Sequence, residues 1–560
     1  MKTKPIVVGL ALAALFFAIL LPPEAYPDGK LAVILCATFA FFVSLTERRI
    51  HPAYLYGGLL VFGFLLLHAV LISLDTYRSF EFTSVLWAYY CLFGFFFYAG
   101  FEPFKPVAIC MVVLCAIVSG YGLYQYFWGF DQLYNYIFYA ASDQVVKVPA
   151  LERVATRRVF STLALPGTLW GFLVIALPFH AALWKELWKR QRLVRTALAS
   201  SLAMLFAAGF LTRSFGFLVG LFTLAATWLV HRHRRIAWNR LTAILIVLAI
   251  MGGTFYSARR GVIEGANPLS LRLKNFISAW TIFAAHPMGT GLNTYGVVYS
   301  RYMLPGANET QYTHNTPLQL LSELGYPVLI AAAVLLLLAL RARRRGEFQS
   351  FSPYLLLALS VWVVHNLIDI DVYFPSVGVV GVILAGVLLR RPSVAPQPPA
   401  RFAVAMTVAA GLGILCFAGL AMVSSELQVR ARAEYEENKL PLSAQTLEQA
   451  KSLMPLDSSL FHDSGDVNLH LYHKRHDPEY LRVAIESFRR AIALSPAKSG
   501  SHTGLSLSLA SASRVEEALE EIRIAQRLYP DSAYVQSISV LLTKRSAGIP
   551  VTPEIPLKQP

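Results

Sequence analysis

From Ala53 to Ser73 the chain reads AYLYGGLLVFGFLLLHAVLIS, 21 residues without a carboxylate, lysine or arginine. About 20 such residues cross the hydrocarbon core of a bilayer as a helix. The stretch has no polar face, so it does not suit the surface of a soluble core. Comparable apolar stretches recur outward from it, at 5–22, 30–46, 83–100, 105–126, 160–184, 196–212, 215–231, 241–257, 316–340, 353–371, 374–390 and 403–424. With 53–73 they predict about thirteen transmembrane helices. The fold class is all-α: a polytopic membrane helix bundle.

The loops between these spans carry an orientation signal. Alternate loops are basic: Lys2 and Lys4, Arg48-Arg49, Lys105, Lys185 to Arg195, His231 to Arg235, Arg341 to Arg345, and Arg390-Arg391. All seven fall on one side if every span is real, and the positive-inside rule makes that side cytoplasmic. An odd number of spans then puts the C-terminus outside. The two long outer segments are 127–159 and 258–315, and long loops in compact folds are commonly functional.

The whole chain of 560 residues is 56% hydrophobic and 15% charged, with a formal net charge of +16. Soluble domains carry roughly 25% charged residues. The excess of basic residues belongs to the loops, and no basic-aromatic groove pattern points to nucleic acid. Cys36, Cys91, Cys110, Cys115 and Cys416 all lie in apolar blocks, which suits packing and neither disulfides nor metal. The first apolar run ends in Pro22-Pro23-Glu24 with no small-x-small cleavage site, so it reads as a retained helix.

After Met422 the composition turns charged and helical. Ala484-Ile485, Phe488 to Ala491, Leu494 and Pro496 recur as Ala518-Leu519, Ile522 to Ala525, Leu528 and Pro530, an offset of 34. That is the tetratricopeptide period, in which stacked helix pairs share a core. A degenerate earlier unit ends at Ala450, Leu453 and Pro455. The predicted domains are a transmembrane domain over 1–425 containing external loop 258–315, an external α-solenoid over 426–545, and a disordered tail over 546–560.

The polar residues of the outer segments carry the candidate chemistry. Tyr312-Thr-His314-Asn315-Thr-Pro-Leu318 opens the tenth span, where a helix N-terminus favours anions. Glu323 lies deeper, and an ionisable residue at membrane depth needs a partner or a function.

This block, His-Asn-x-x-Leu followed by Glu-x-Gly, resembles the signature of the O-antigen ligase and polymerase superfamily of bacterial envelope glycosyltransferases. Three other stretches are similar to family blocks. One is Arg272 to Trp280 followed by Pro287-Met-Gly289-Thr-Gly291. Another is Arg158-Val-Phe-Ser161-Thr162 before Pro166, with Ser161 and Gly167 where Gly and Asn are usual. The last is Thr212-Arg213-Ser214, where the arginine precedes the serine and Phe215 takes its usual place. The resemblance covers roughly 150–390. It implies transfer of a glycan from polyprenyl diphosphate to an acceptor hydroxyl at the outer face of the bacterial inner membrane. Lipid A-core, a growing polysaccharide or a protein could be the acceptor.

On that resemblance His314 is the expected general base and Arg272 the expected diphosphate ligand. Histidine titrates near neutrality, and an arginine fork suits phosphate oxygens. Arg213, Arg158, Asn315 and Lys274 are candidate substrate contacts; Arg213 and Arg158 suit structural anchoring equally. Glu323, His365 and Asp369 are expected to support the site. No Asp-x-Asp motif appears in the two long outer segments 127–159 and 258–315, so neither metal nor cofactor is expected. The repeats suggest a protein partner or acceptor glycan.

Two rival functions remain at this level. A transporter or flippase of lipid-linked sugars would spread ionisable residues across membrane depth. A repeat-bearing scaffold would leave the His314 and Arg272 pattern unused. The orientation is testable by reporter fusions: Arg345 is expected in the cytoplasm and Ser511 outside, and both reporting the same side would refute the map.

Overall fold

The computed structural model describes residues 4–47, 50–140, 151, 154–163, 165–187, 192–214, 216–232, 268–344, 352–391 and 400–547. Among these the regular structure is helical. The first half holds α1 (Lys4–Leu20), α2 (Pro27–Thr46), α3 (Pro52–Leu71), α4 (Thr76–Phe97) and α5 (Phe104–Tyr124). A π turn at Gln125–Gly129 leads into α6 (Phe130–Ala140), followed by α7 (Pro166–Leu187), α8 (Arg192–Leu211) and α9 (Gly216–Arg232). Then come α10 (Pro268–Ala285), α11 (Tyr295–Tyr302), α12 (Thr316–Leu324), α13 (Tyr326–Arg344), α14 (Pro353–His365) and α15 (Pro375–Leu388). Among the described residues, seven helices are long and apolar enough to cross a membrane, and four shorter apolar helices accompany them.

Eleven of the thirteen predicted spans fall on one described apolar helix each, and 316–340 is divided between two; the ninth, 241–257, lies outside the described residues, as do loop 233–240 and the tail from 548. The bundle core packs α4 against α2 and α15, and α7 against α5 and α14. Trp87, Phe96, Trp170, Phe172 and Phe179 are among its largest fully buried side chains. Cys91 and Cys115 are buried within it.

The turns sort into two ends. At one end Glu24 accepts from Ser376, the Leu74 amide donates to Thr290, and the Val159 amide donates to Leu211. At the other, Lys105 pairs with Glu186 and the Arg391 amide donates to Phe97. His314 belongs to the first, hereafter the site end.

Two predicted spans are shorter than their apolar stretch. The stretch 316–340 is split: α12 stops at Gly325, whose φ is +67°. The stretch 353–371 ends as helix at His365, and residues 366–374 form a turn. Irregular backbone at membrane depth is tolerated only when protein satisfies it. Here the 287–291 segment does so. The Tyr326 amide donates to Pro287 at 3.0 Å and the Gly291 amide to Glu323 at 2.9 Å. The approach requires glycine on both sides: a Cβ at Gly325 would sit 2.1 Å from the Pro287 carbonyl oxygen, and one at Gly289 2.2 Å from that of Glu323.

The last helix of the bundle, α16 (Arg401–Glu436), has 36 residues. At 1.5 Å each it is about 54 Å long, well beyond a hydrocarbon core of about 30 Å. It therefore continues into the repeats without a break, and the composition change near 425 falls inside it. The repeats are α17 (Leu440–Leu453), α18 (Ser458–Arg475), α19 (Pro478–Leu494), α20 (Ser499–Ser511), α21 (Val515–Leu528) and α22 (Ala533–Ser546). The repeated positions Ala484, Phe488, Ala518, Ile522 and Ala525 share one core. Phe488 fills the space left by Gly465 and Gly504, where a Cβ would approach its ring to 2.7 and 2.3 Å.

The α12–α13 break yields a stability test. Gly325→Ala should lower detergent-phase thermal stability by at least about 1–3 kcal/mol, from left-handed strain and the carbonyl clash. Gly413→Ala, whose Cβ would meet nothing within 4 Å, should be neutral or stabilising by up to about 1 kcal/mol, because alanine is the better helix former. Equal behaviour of the two would remove the claimed constraint.

Candidate functional site

The backbone of 313–316 is pinned from both sides. The Thr313 amide donates to the Gln319 Oε1 at 3.0 Å, and Asn315 caps α12 by accepting from the Leu318 amide at 2.9 Å. Asn315 Nδ2 also donates to the Leu367 carbonyl at 2.7 Å, and Thr316 Oγ1 to Asn366 Oδ1 at 2.7 Å. Between these anchors His314 has a φ of +57°. A non-glycine residue in the left-handed region costs of order 1–3 kcal/mol and needs surroundings that enforce it.

His314 Nδ1 lies 3.2 Å from Asp369 Oδ1. The Arg272 guanidinium lies 3.8 Å from the other Asp369 oxygen and donates to the Ile368 carbonyl at 2.7 Å. His314 and Arg272 are 26% and 29% exposed while Asp369 is 9% exposed, so the acid is the buried member that two more open groups address. Burial disfavours a carboxylate, and the His314 hydrogen bond and the Arg272 guanidinium beside Asp369 offset that cost. With Nδ1 turned to Asp369, the Nε2 atom of His314 is the one left for another partner.

Glu323 sits behind this trio. It accepts from the Asn293 amide at 2.7 Å, the Tyr295 amide at 3.0 Å, Gln319 Nε2 at 3.2 Å and the Tyr373 hydroxyl at 2.5 Å. His365 Nδ1 lies 2.8 Å from both Asp371 oxygens, in a buried pair that braces the 366–374 turn. Gly167 and Gly171 on α7 make room: a Cβ at Gly167 would come 2.8 Å from Asp369 Oδ2, and one at Gly171 2.9 Å from the His365 ring.

The structure thus brings together His314, Arg272, Asp369, Asn315, Glu323 and His365. It does not bring Lys274 to them: two residues along α10 from Arg272, it faces elsewhere and donates to the Pro305 carbonyl at 2.9 Å. Arg158 and Arg213 meet in a separate pair of turns, where Arg158 Nε donates to the Thr212 carbonyl at 3.1 Å and Arg213 has a φ of +48°. Asp369 is more central than its sequence reading, and Tyr373 and Asn293 went unread. The signal for Asp369 was its spacing within His365-Asn-Leu-Ile-Asp369-Ile-Asp371; Asn293 acts through its backbone, which no side-chain pattern announces. Among the described residues no group of three or more His, Cys, Asp or Glu side chains is disposed to hold a metal ion.

The buried acid yields a stability test. Asp369→Asn should destabilise the folded protein by about 1.5–3 kcal/mol, the worth of a charged hydrogen bond. Thermal unfolding of both proteins in detergent checks it; equal stability of the two contradicts the assignment.

Comparison with known proteins adds three findings. No curated protein matches the chain. Among solved structures, "Crystal structure of APC/C hetero-tetramer Cut9-Hcn1" aligns over 93% of this chain and 84% of that one, at 11% identity and a TM-score of 0.20, too loose to carry an argument. Over residues 199–333, about a quarter of its length and including Arg213, Arg272, His314, Asn315 and Glu323, the chain matches the family model of the O-Antigen ligases.

Proposed function

We propose that this protein transfers a glycan from a polyprenyl diphosphate donor to an acceptor hydroxyl, as an O-antigen ligase-like or polysaccharide polymerase-like glycosyltransferase. The observation that carries the reading is the His314–Asp369 hydrogen bond with Arg272 beside it, in a chain whose 199–333 segment matches that family. The site end would face outward from the bacterial inner membrane, with the repeats external, as the seven basic loops suggest.

In this reaction the acceptor oxygen attacks the anomeric carbon as the carbon–oxygen bond to the diphosphate breaks. The lipid diphosphate leaves with the bonding pair. The acceptor proton goes to His314 Nε2, while Asp369 holds Nδ1 and stabilises the imidazolium that forms. Arg272 is the nearest fixed cation for the diphosphate oxygens, and its charge persists at any working pH. Arg158 and Arg213, in their neighbouring turns, are the further candidates for donor contact. Glu323 and the His365–Asp371 pair position the backbone that carries these groups. The gathering of polar residues at one end of the bundle favours an enzyme over a transporter, which needs sites near the membrane midplane.

The test is transfer from polyprenyl-diphosphate glycan in nanodiscs. His314→Ala should slow transfer by about 10²–10⁴-fold with donor binding nearly intact, the size of a general-base contribution. His314→Gln should be as slow; normal activity would make His314 a positioning residue. Arg272→Ala should weaken donor binding, and Arg272→Lys should restore it only in part, because a point charge does not replace a bidentate fork. Loss of all activity on adding a chelator would assign charge neutralisation to a metal.

A further inference from the structure

Between the site end of the bundle and the repeats lies a cavity of about 350 Å³. Pockets for small ligands run from about 300 to 1,000 Å³. Helix N-termini from both parts of the molecule meet there. Asp75 caps α4 by accepting from the Arg78 amide at 3.1 Å, and Asp457 caps α18 by accepting from the Ser459 amide at 2.9 Å. The two caps are joined, because Ser458 Oγ donates to Asp75 Oδ2 at 3.2 Å. Lys498, just before α20, enters from the repeat side; burial and the neighbouring Arg78 guanidinium push its ammonium below the ordinary lysine value.

The cavity adjoins the candidate site through its aromatic wall. Tyr312, two residues before His314, and Tyr373, which donates to Glu323, both line it. Phe82 stacks on Tyr373 with ring centroids 4.5 Å apart. Asn293, whose amide is held by Glu323, lines it too.

The charge of the lining separates two classes of occupant. Glu24, Asp75, Glu81 and Asp457 supply carboxyls, while Lys30, Arg78 and Lys498 supply cations. Lys30 is already committed to Glu81 at 2.5 Å. Arg78 Nε lies 4.0 Å from Asp75 Oδ2, so with both pairs set aside a lipid diphosphate would meet the Glu24 and Asp457 carboxyls against Lys498 alone, and like charges at such range repel. A saccharide suits the same lining. Its hydroxyls donate to carboxylates and accept from lysine and arginine, and its carbon–hydrogen faces lie against the tyrosines.

We propose that this cavity is the acceptor-saccharide subsite, closed by the repeats, with Arg78 and Tyr312 of the bundle and Ser458 and Lys498 of the repeats as its contacts. Its role as acceptor site rests on the transferase reading; its capacity to bind saccharide does not. The repeats then have a function inside the reaction, as the second wall of a pocket that the bundle alone leaves open.

The experiment uses the full chain in detergent and two probes. One is the delipidated oligosaccharide released by mild acid from the host cell's envelope, followed by saturation-transfer NMR. The other is polyprenyl diphosphate, followed by direct binding. Lys498→Glu and Arg78→Gln, one on each wall, should each weaken oligosaccharide binding by about tenfold or more, from a lost charged hydrogen bond. Both should leave polyprenyl diphosphate binding within about twofold, and Lys498→Arg should keep most of the saccharide affinity. No saccharide binding by the unmodified chain, unchanged binding in both variants, or loss of polyprenyl diphosphate binding instead would overturn the proposal. Saccharide binding that falls as expected in a chain that transfers no glycan would sink the transferase reading and leave the subsite standing.

Discussion

A carboxylate shut away from water must find donors for both oxygens, and Glu323 finds four. Those donors come from the Asn293 and Tyr295 amides, Gln319 and Tyr373, so one side chain ties the 287–295 segment, α12 and the 366–374 turn together. Each of these pieces is irregular or short. None could lie at the end of a membrane bundle without protein partners for its backbone. The paired glycines Gly289 and Gly325 serve the same assembly, since they let two backbones approach closely enough to share hydrogen bonds. The placement of His314 depends on this scaffold, because the residue sits strained on a turn that the scaffold immobilises.

The site follows a division of labour between exposed and buried groups. Asp369 is buried and charged, which is unfavourable unless hydrogen bonds and cations compensate. His314 and Arg272 supply that compensation and remain partly open. Arg272 therefore has a structural duty toward Asp369 and Ile368 in addition to the diphosphate role proposed for it. The His365–Asp371 pair, one turn away, has no such opening and braces the loop.

The continuous α16 links membrane span and repeat array. A helix of 36 residues leaves no flexible linker at the junction, and Tyr77 of the bundle packs into the core of the first repeat. Tyr529 of the repeats donates to Glu309 of the bundle's 303–314 segment, a second tether. Two tethers hold the repeats over the site end, which gives the interdomain cavity fixed walls.

Much of this architecture was legible from residue order alone, and the reason is local. Apolar length and basic loops are properties of consecutive residues, so the spans could be read wherever the structure describes them. The 34-residue repeat was legible for the same reason: Ala484, Phe488 and Ala491 recur with the period of a stacked helix pair. His314, Arg272 and Glu323 stood out because charged groups are rare in so apolar a chain. What only the tertiary structure decided is distance across the chain. Asp369 lies 55 positions from His314, and Lys274, two positions from Arg272, faces another way. The breaks at Gly325 and His365 were hidden inside apolar runs, because hydrophobicity reports burial and not whether the backbone stays helical. The cavity at Arg78 and Lys498 was invisible for the strongest reason. Its walls come from segments about 420 residues apart, and no local pattern encodes a surface that exists only once two folded parts meet.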